Sequence, residues 1–427
     1  MIFFILFDYI NNMPTSENLM NYEVEFNIKP QNQITKDDIH LAGNVFYQQI
    51  SCNEPAPFSG EQTRVATFSL NSPNCAMDLF NSTIEGDIAI RVGTSGCLDG
   101  DIHSLFTQVR LLDDTGVLYE DCLRYNVKHI MEKVATVGNE YCKSHMEDWS
   151  DNINVAESAK IQITSTPRAF EFIPDLSFIQ LCKILHLPVT GSCTLELTFD
   201  DSRNVISSGS AGSLITVTNL KMNCKMIPLT AEYIKECRIA CERGEFLYLY
   251  ERYRSNPVPW AQSLNTVVIP RGVRSANALL VRWYLSTDVN NINARFLQKS
   301  QYLPNLQALQ IEHGSEFIPR QPLSKVPALF KATQECSGLL HDGDGSTLLN
   351  RNNFTCVDGN STLDATPLFV VFLKLQNANR NTGRNLNEST MLFRTQADAV
   401  ANLYCETFLY YSSVLQVSYN GMTRATF

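Results

Sequence analysis

Basic residues are scarce in this chain of 427 amino acids: Lys and Arg number 34 against 44 Asp and Glu, for a formal net charge of −10. Residues 1–30 hold Asp8, Glu17, Glu23 and Glu25 but only Lys29. Neutralising phosphates takes clustered Lys and Arg, so direct sequence-specific nucleic-acid binding is not expected. Charge of either sign is also sparse, at 18% against 44% apolar residues, a balance that suits large cores and surfaces buried against neighbours rather than disorder. Long apolar runs are missing too. Residues 1–10 are mostly apolar, but Asp8 interrupts them, no basic segment precedes them and no small-residue cleavage site follows, which excludes a signal peptide. The run also falls far short of the roughly 20 residues that span a bilayer. It fits an apolar arm that docks on a neighbouring subunit or an internal membrane, and equally a translation start at Met13.

Catalytic patterns are absent as well. There is no G-x-S-x-G elbow, no H-E-x-x-H, no Walker A loop and no G-x-G-x-x-G opening a helix. The seven histidines, His40, His103, His129, His145, His186, His313 and His341, are dispersed without ligand spacing. An enzyme is therefore not expected, and no residue is assigned as catalytic, cofactor-binding or metal-ligating. His129 lies near the apolar face of a helix and reads as a satisfied structural side chain. The 13 cysteines are odd in number and irregular in spacing, which reads as mostly buried free thiols kept in a reducing compartment. Cys237 and Cys241 can share a helix face, but no second pair completes a zinc site, so they are expected in a core. His341-Asp-Gly-Asp-Gly-Ser346 has some look of a calcium loop. Asn353 stands twelfth from Asp342 where an EF-hand needs Glu, so a surface turn is favoured. Four sequons occur, at Asn81, Asn353, Asn360 and Asn387; nothing indicates secretion and no glycans are expected.

What is present is strand pattern. Aromatic residues make up 10%, with 23 Phe and 16 Tyr, which favours strands, and the length suits two large β domains. Val65–Leu70 is a short apolar strand, Asn71–Asn74 a turn, and the stretch through Val92 a long strand in which Ile88, Ile90 and Val92 alternate with Ala89 and Arg91. Ser104–Leu112 and Val117–Glu120 form a hairpin around Asp113–Gly116. The period then changes: Leu123, Val127, Ile130, Met131, Val134 and Val137 fall at helical spacing before Gly138. Strands resume at Lys160–Thr164, Arg168–Pro174, Leu185–Val189, Thr194–Phe199 and Leu214–Ile227, and Thr230 caps a helix through Ile234, Cys237 and Cys241 up to Gly244. A second round follows: Glu245–Arg254, Asn265–Pro270, Ala276–Leu285, a helix Pro327–Cys336, the very apolar Thr366–Leu375, a helix near Thr395–Tyr404 and a last strand Phe408–Tyr419. Glu245–Arg254, Ala276–Leu285 and Leu368–Leu375 are apolar on both faces, so their outer faces need a flanking helix, the sister domain or another subunit. The insertions 138–159 and 338–362 are expected at one end, carrying intersubunit contacts or the outer surface.

The turn and strand Ser72-Pro-Asn-Cys-Ala-Met-Asp-Leu-Phe-Asn-Ser-Thr-Ile-Glu-Gly-Asp-Ile88 and the hairpin and helix start Leu105–Val127 resemble the first jelly roll of double jelly-roll major capsid proteins; Gln301–Pro322 resembles the second. These proteins build the shells of polinton-like viruses, virophages and adintoviruses and, more distantly, of adenoviruses, whose hexon is the related capsomer, and of large nucleocytoplasmic DNA viruses. The resemblance covers Val65 to the C-terminus, strongest before Leu229 and weakest after Gly338. It implies an all-β fold of two tandem eight-stranded jelly-roll sandwiches with short flanking helices: an N-terminal arm 1–62, a first jelly roll 63–229 and a second 230–427. It further implies a homotrimeric, pseudo-hexagonal capsomer that tiles an icosahedral shell around a DNA genome, in virions assembled inside the host cell. Expected partners are copies of the chain, penton and minor capsid proteins and, where one exists, an internal membrane. The missing basic arm implies that another component faces the genome. The alternatives are a minor capsid (penton) or other β-sandwich binding protein, and a hydrolase on a β scaffold.

Overall fold

The computed structural model describes residues 42–136 (except 94), 162–207, 212–292 (except 261 and 262), 294, 296, 297, 299–337 (except 302), 349, 354, 368–375, 383–418 (except 388) and 421–426. Strand formation follows the two-residue period. The first sandwich comprises β1 (Phe46–Ser51), β2 (Val65–Leu70), β3 (Cys75–Val92), β4 (Phe106–Asp113), β5 (Leu118–Leu123), β6 (Arg168–Phe172), β7 (Cys193–Phe199) and β8 (Leu214–Pro228). In β3, Ile84, Ile88 and Ile90 point into the core while Glu85 and Asp87 stay partly solvated on the other side. One antiparallel sheet runs in the order β1-β8-β3-β6 and its partner in the order β2-β7-β4-β5. Phe58, Phe106, Phe172 and Phe199 close the space between them.

The second sandwich comprises β9 (Leu247–Pro259), β10 (Leu264–Ile269), β11 (Ala276–Leu285), β12 (Ala308–His313), β13 (Glu316–Leu323), β14 (Val371–Lys374), β15 (Met391–Gln396) and β16 (Leu403–Ser418). Its sheets run β9-β16-β11-β14 and β10-β15-β12-β13. Adding eight to each label of the first sandwich reproduces the second. Two packed antiparallel sheets of eight strands with this crossing order are a jelly roll, so the chain is two jelly rolls in tandem. Smaller features repeat as well. The fourth and fifth strands of each form a tight hairpin through a glycine at positive φ, Gly116 (φ +84°) and Gly314 (φ +62°), a conformation that costs other residues a steric clash. A helix follows the fifth strand in each: Tyr125–Thr136 (α1) and, later in the chain, Val326–Cys336 (α3). Between the rolls lies Ala231–Glu242 (α2), whose first turn is capped by Thr230 Oγ1 accepting from Tyr233 N at 3.3 Å. Its buried face is Tyr233, Ile234, Cys237 and Cys241, which places both cysteines in the core.

Several sequence expectations change. The stretch read as an arm, 1–62, contains β1, which pairs with β8 from Phe46↔Met226 to Ser51↔Lys221. Leu185–Val189 is a two-residue strand, Ile184–Leu185, followed by a helical turn, Leu187–Thr190: Pro188 has no N–H for a ladder and suits a first helical turn. Thr366–Leu375 narrows to the four residues of β14, because Phe369 N leaves the ladder to bond Ser300 O at 3.0 Å. The helix expected over Thr395–Tyr404 is instead the end of β15 and the start of β16, linked by a turn with Asn402 at φ +60°. The apolar outer faces are covered within the chain: α3 packs on β14, and the first jelly roll packs on β9 and β16. The apolar segment 1–10, the insertion 138–159, the insertion 338–362 apart from Leu349 and Phe354, and the 341–346 loop lie outside the described residues.

Candidate functional site

The chemistry of this chain concentrates where the two jelly rolls meet. Strand β5 is an edge of the first roll and β9 an edge of the second, and an edge strand leaves a row of backbone groups unpaired. Tyrosines of β9 use that row: the Tyr253 hydroxyl donates to Leu123 O at 3.1 Å, and the Tyr250 hydroxyl donates to Tyr119 O. The short helix Ser177–Cys182 lies along the other side of β9, with Glu251 N donating to Ser177 Oγ at 3.1 Å and Cys182 Sγ donating to Leu249 O at 3.5 Å. His186 completes the contact, its Nδ1 3.1 Å from Tyr248 Oη and its Nε2 3.2 Å from Tyr233 Oη. Burial pushes this imidazole down to about 4, so it is neutral at physiological pH.

Deeper in the seam, Glu406 of β16 accepts from Arg124 Nε at 2.8 Å and from Arg282 Nε at 2.9 Å. The side chains of Arg282 and Glu406 are both 0% exposed. Burial acts to raise the Glu406 carboxyl, but the guanidinium groups of Arg124 and Arg282 outweigh it and hold it at about 2. For Arg282 burial prevails and its pKa falls below the usual guanidinium value. Phe296 O lies 3.0 Å from its Nη1 and the Tyr284 and Phe296 rings lie beneath the guanidinium, while Nη2 is buried without a hydrogen-bond partner among the described residues. Asp99 and Asn204 of the first roll accept from Leu297 N and Asn290 N at 2.7 Å each. These contacts fasten one roll to the other.

A second charged cluster lies beneath α1. The ligand atoms of Asp101, His103 and His129 lie within 4.8 Å of one another, close enough to suggest a metal. The donors are already committed. Asp101 Oδ2 accepts from Lys133 Nζ at 2.6 Å and sits 3.0 Å from His129 Nε2, while His129 Nδ1 meets Asp175 Oδ2 at 2.8 Å and His103 Nδ1 meets Tyr125 Oη at 2.6 Å. The Lys133 ammonium brings its charge to the Asp101 carboxylate, and with His129 and Asp175 the group forms a buried ion-pair network. Burial works to lower the His129 pKa, but the Asp101 charge and the hydrogen bonds to Asp101 and Asp175 together outweigh it, and the net direction is upward. Asp175 moves well down: burial opposes ionisation, and Lys128 and His129 overcome it.

His129, read from the sequence as a satisfied structural residue, thus has both ring nitrogens engaged. The eleven described cysteines are free thiols, eight of them buried. A Ser–His contact that sequence reading missed joins Ser389 Oγ to His313 Nε2 at 2.7 Å. It is not a hydrolytic dyad: the other face of the ring meets Asn385 backbone rather than a carboxylate, and burial together with Arg384 lowers the imidazole pKa. Open grooves occur among the described residues. One, about 770 Å³, lies on the outer face of the β1-β8-β3-β6 sheet among Glu85, Asp87, Arg168, Glu171, Asn219 and Lys221. The other, about 520 Å³, lies along β13 among Phe317, Pro319, Arg320 and Arg384.

No family model and no curated protein matches the chain. Solved structures do. The Faustovirus major capsid protein aligns at a TM-score of 0.60 and 10% identity over 96% of this chain and 99% of its own. A chain of the PBCV-1 virus capsid aligns at 0.58 and 11% identity over 91% and 98%, and one from the Sputnik virophage at 0.56 and 10% over 91% and 89%. At such identities the likeness speaks for the fold, and it spans both sandwiches in the same order. The chain is therefore a double jelly roll, two eight-stranded jelly rolls fused in tandem, with the fold of the Faustovirus, PBCV-1 and Sputnik capsid chains.

Proposed function

We propose that the chain is a viral major capsid protein that self-assembles into homotrimeric, pseudo-hexagonal capsomers tiling an icosahedral shell around a DNA genome. The observation that carries this reading is the tandem repeat of one jelly-roll topology over nearly the whole chain, with the extent and order found in the Faustovirus, PBCV-1 and Sputnik capsid chains. The chemistry inside the chain agrees with a mechanical role: the Arg124–Glu406–Arg282 group fastens one roll to the other, and the Asp101–His129–Lys133 network ties α1 into the first. A penton protein of a single jelly roll would not need the second set of eight strands. Within this reading the first jelly roll begins at β1, the boundary between the rolls falls at Leu229–Thr230, and the residues before β1 form the arm. Penton and minor capsid proteins, and an internal membrane where one exists, are the further partners, and the chain is not an enzyme. With its acidic balance, the genome contact belongs to another component.

Sizing the purified full-length protein and imaging it by electron microscopy tests the proposal. Particles near three times 48.1 kDa, hexagonal in projection, are expected. A protein that stays monomeric across the micromolar range would contradict it.

A further inference from the structure

His129 on α1 is buried, and each of its ring nitrogens stands against a carboxylate: Nε2 lies 3.0 Å from Asp101 Oδ2 and Nδ1 2.8 Å from Asp175 Oδ2. Burial opposes ionisation of both acids, but Lys133 and His129 hold Asp101 far below the usual carboxylate range, and Lys128 and His129 do the same for Asp175. An ionised carboxylate only accepts hydrogen bonds, so both ring nitrogens donate, and a ring that donates from both is an imidazolium. The other ionisable groups around it are the His103 ring, stacked at 3.9 Å between centroids, the Tyr125 ring at 6.0 Å, and, on α1 itself, Lys133 and the Lys128–Glu132 pair. A neutral ring keeps one N–H for two carboxylates. Its lone pair then faces the other carboxylate at hydrogen-bond distance, which leaves a buried acceptor without that donor.

We propose that His129 is a proton-operated latch: as an imidazolium bridging Asp101 and Asp175 it holds α1 in place, and on losing a proton to solvent it frees one of the two ties and loosens the seam between the rolls. The elements it joins are those that reach the second roll. Asp175 stands two residues before the helix Ser177–Cys182, whose Ser177 Oγ accepts from Glu251 N of β9 at 3.1 Å. On α1, Lys128 Nζ lies 5.5 Å from the centre of the Tyr253 ring of β9, and Arg124, which binds Glu406, directly precedes the helix. The ring holds its proton more tightly in the folded chain than in the unfolded one, so the latch contributes fully below about 6.5 and its contribution is lost as pH rises through the folded-state value. Glu132, raised by burial, acts in the same sense from a lower starting value of 4.5. The latch lies within one chain and does not depend on assembly. In a shell of such chains, a consequence that does rest on the capsid reading, mild acid tightens each subunit and alkali loosens it.

The test follows hydrogen–deuterium exchange of α1 and β9 peptides in dilute full-length protein from about pH 5.5 to about pH 9, a range that brackets a raised imidazole, with rates corrected for the intrinsic pH dependence of exchange. In the wild type, protection of α1 is expected to fall above pH 6.5 by about tenfold for each unit that separates the folded and unfolded pKa values, with β9 following. His129→Gln, which offers one donor at every pH, should abolish that step and match the alkaline wild type throughout. His313→Gln, on β12 of the second roll, is the control and should retain the step. Asp175→Asn serves where His129→Gln does not fold, as checked by circular dichroism: with one carboxylate removed the ring holds its proton less tightly, and the step should move to lower pH. Wild-type protection of α1 that stays constant above pH 6.5, a step that persists in His129→Gln, or one that Asp175→Asn leaves unmoved would each overturn the latch. All of these readings are made on the unassembled chain, so a failure of the capsid reading leaves them intact.

Discussion

The two jelly rolls share one strand order and differ in what lies on the outside of their first sheets. In the second roll that face carries Tyr253, Arg282, Glu406 and Tyr410, all buried, with Glu406 tied to Arg124 and Tyr253 to Leu123 of the first roll. In the first roll the same face carries a partly solvated polar ladder: Gln49 Nε2 donates to Glu85 at 2.8 Å, Asn223 Nδ2 to Glu85 at 2.9 Å and Asn219 Nδ2 to Asp87 at 2.6 Å. One topology thus supports two surface chemistries. A face already docked holds aromatics and ion-paired charges; a face still in water holds short polar side chains that satisfy one another laterally.

The comparison is tested most severely by removing one carboxylate from each face. Glu406→Ala strands two guanidinium groups in the seam and is expected to cost about 3–5 kcal/mol in chemical denaturation. Glu85→Ala, on the corresponding face of the first roll, should cost less than about 1 kcal/mol. Equal losses would mean that the two faces do not differ as described. A smaller effect is expected from Tyr250→Phe, which leaves the buried Tyr119 carbonyl without its donor and should cost about 1–3 kcal/mol, whereas Tyr47→Phe should leave the isolated chain unchanged within about 0.5 kcal/mol.

The smallest effect is a pH dependence. Burial raises the half-buried Glu251 carboxyl from 4.5 to about 7, against the pull of its bond from Asn277. A folded-state pKa above the unfolded one means stability is full below about 4.5, declines as pH rises, and levels off above about 7. Glu251→Gln, neutral at every pH, should flatten that decline in the melting temperature. Glu406 acts in the opposite sense: with its carboxyl held at about 2 rather than 4.5, its contribution is full above 4.5 and is lost as pH falls toward 2. A wild-type melting temperature that does not change between pH 4.5 and 7 would show that Glu251 is already solvated and the seam wetter there than drawn.

Strands whose partners impose a clean period were legible in the sequence. β3 over Ser82–Ile88 and β8 over Leu214–Thr218 and Leu220–Met226 alternate because one face is core and the other is not. β1 showed only as one short element near Ile39 to Ile50 within the arm, because Phe-Tyr-Gln-Gln-Ile-Ser buries nothing and its ladder partner, β8, lies far along the chain. β15 was missed for a different reason. Ala397, Ala399 and Ala401 directly after it mimic helix composition, while its own alternation, Met391, Phe393 and Thr395 inward, is only three residues deep. The seam was legible only as excess: Ala276–Leu285 reads as apolar on both faces, which signals a cover without naming it. Its ionic groups were invisible, since Arg124, Arg282 and Glu406 come from three separate strand ends. The same holds for His129, whose partners Asp101 and Asp175 lie 28 and 46 residues away.

Hydrogen–deuterium exchange on the wild-type protein, followed strand by strand in dilute and assembled samples, tests the central claim most directly. The account predicts that β5 and β9, joined where the rolls meet, are protected already in the dilute sample, while β1 and β13, which bury nothing, exchange fast there. Fast exchange at β5 and β9, or slow exchange at β1 and β13, in the dissociated chain would contradict it.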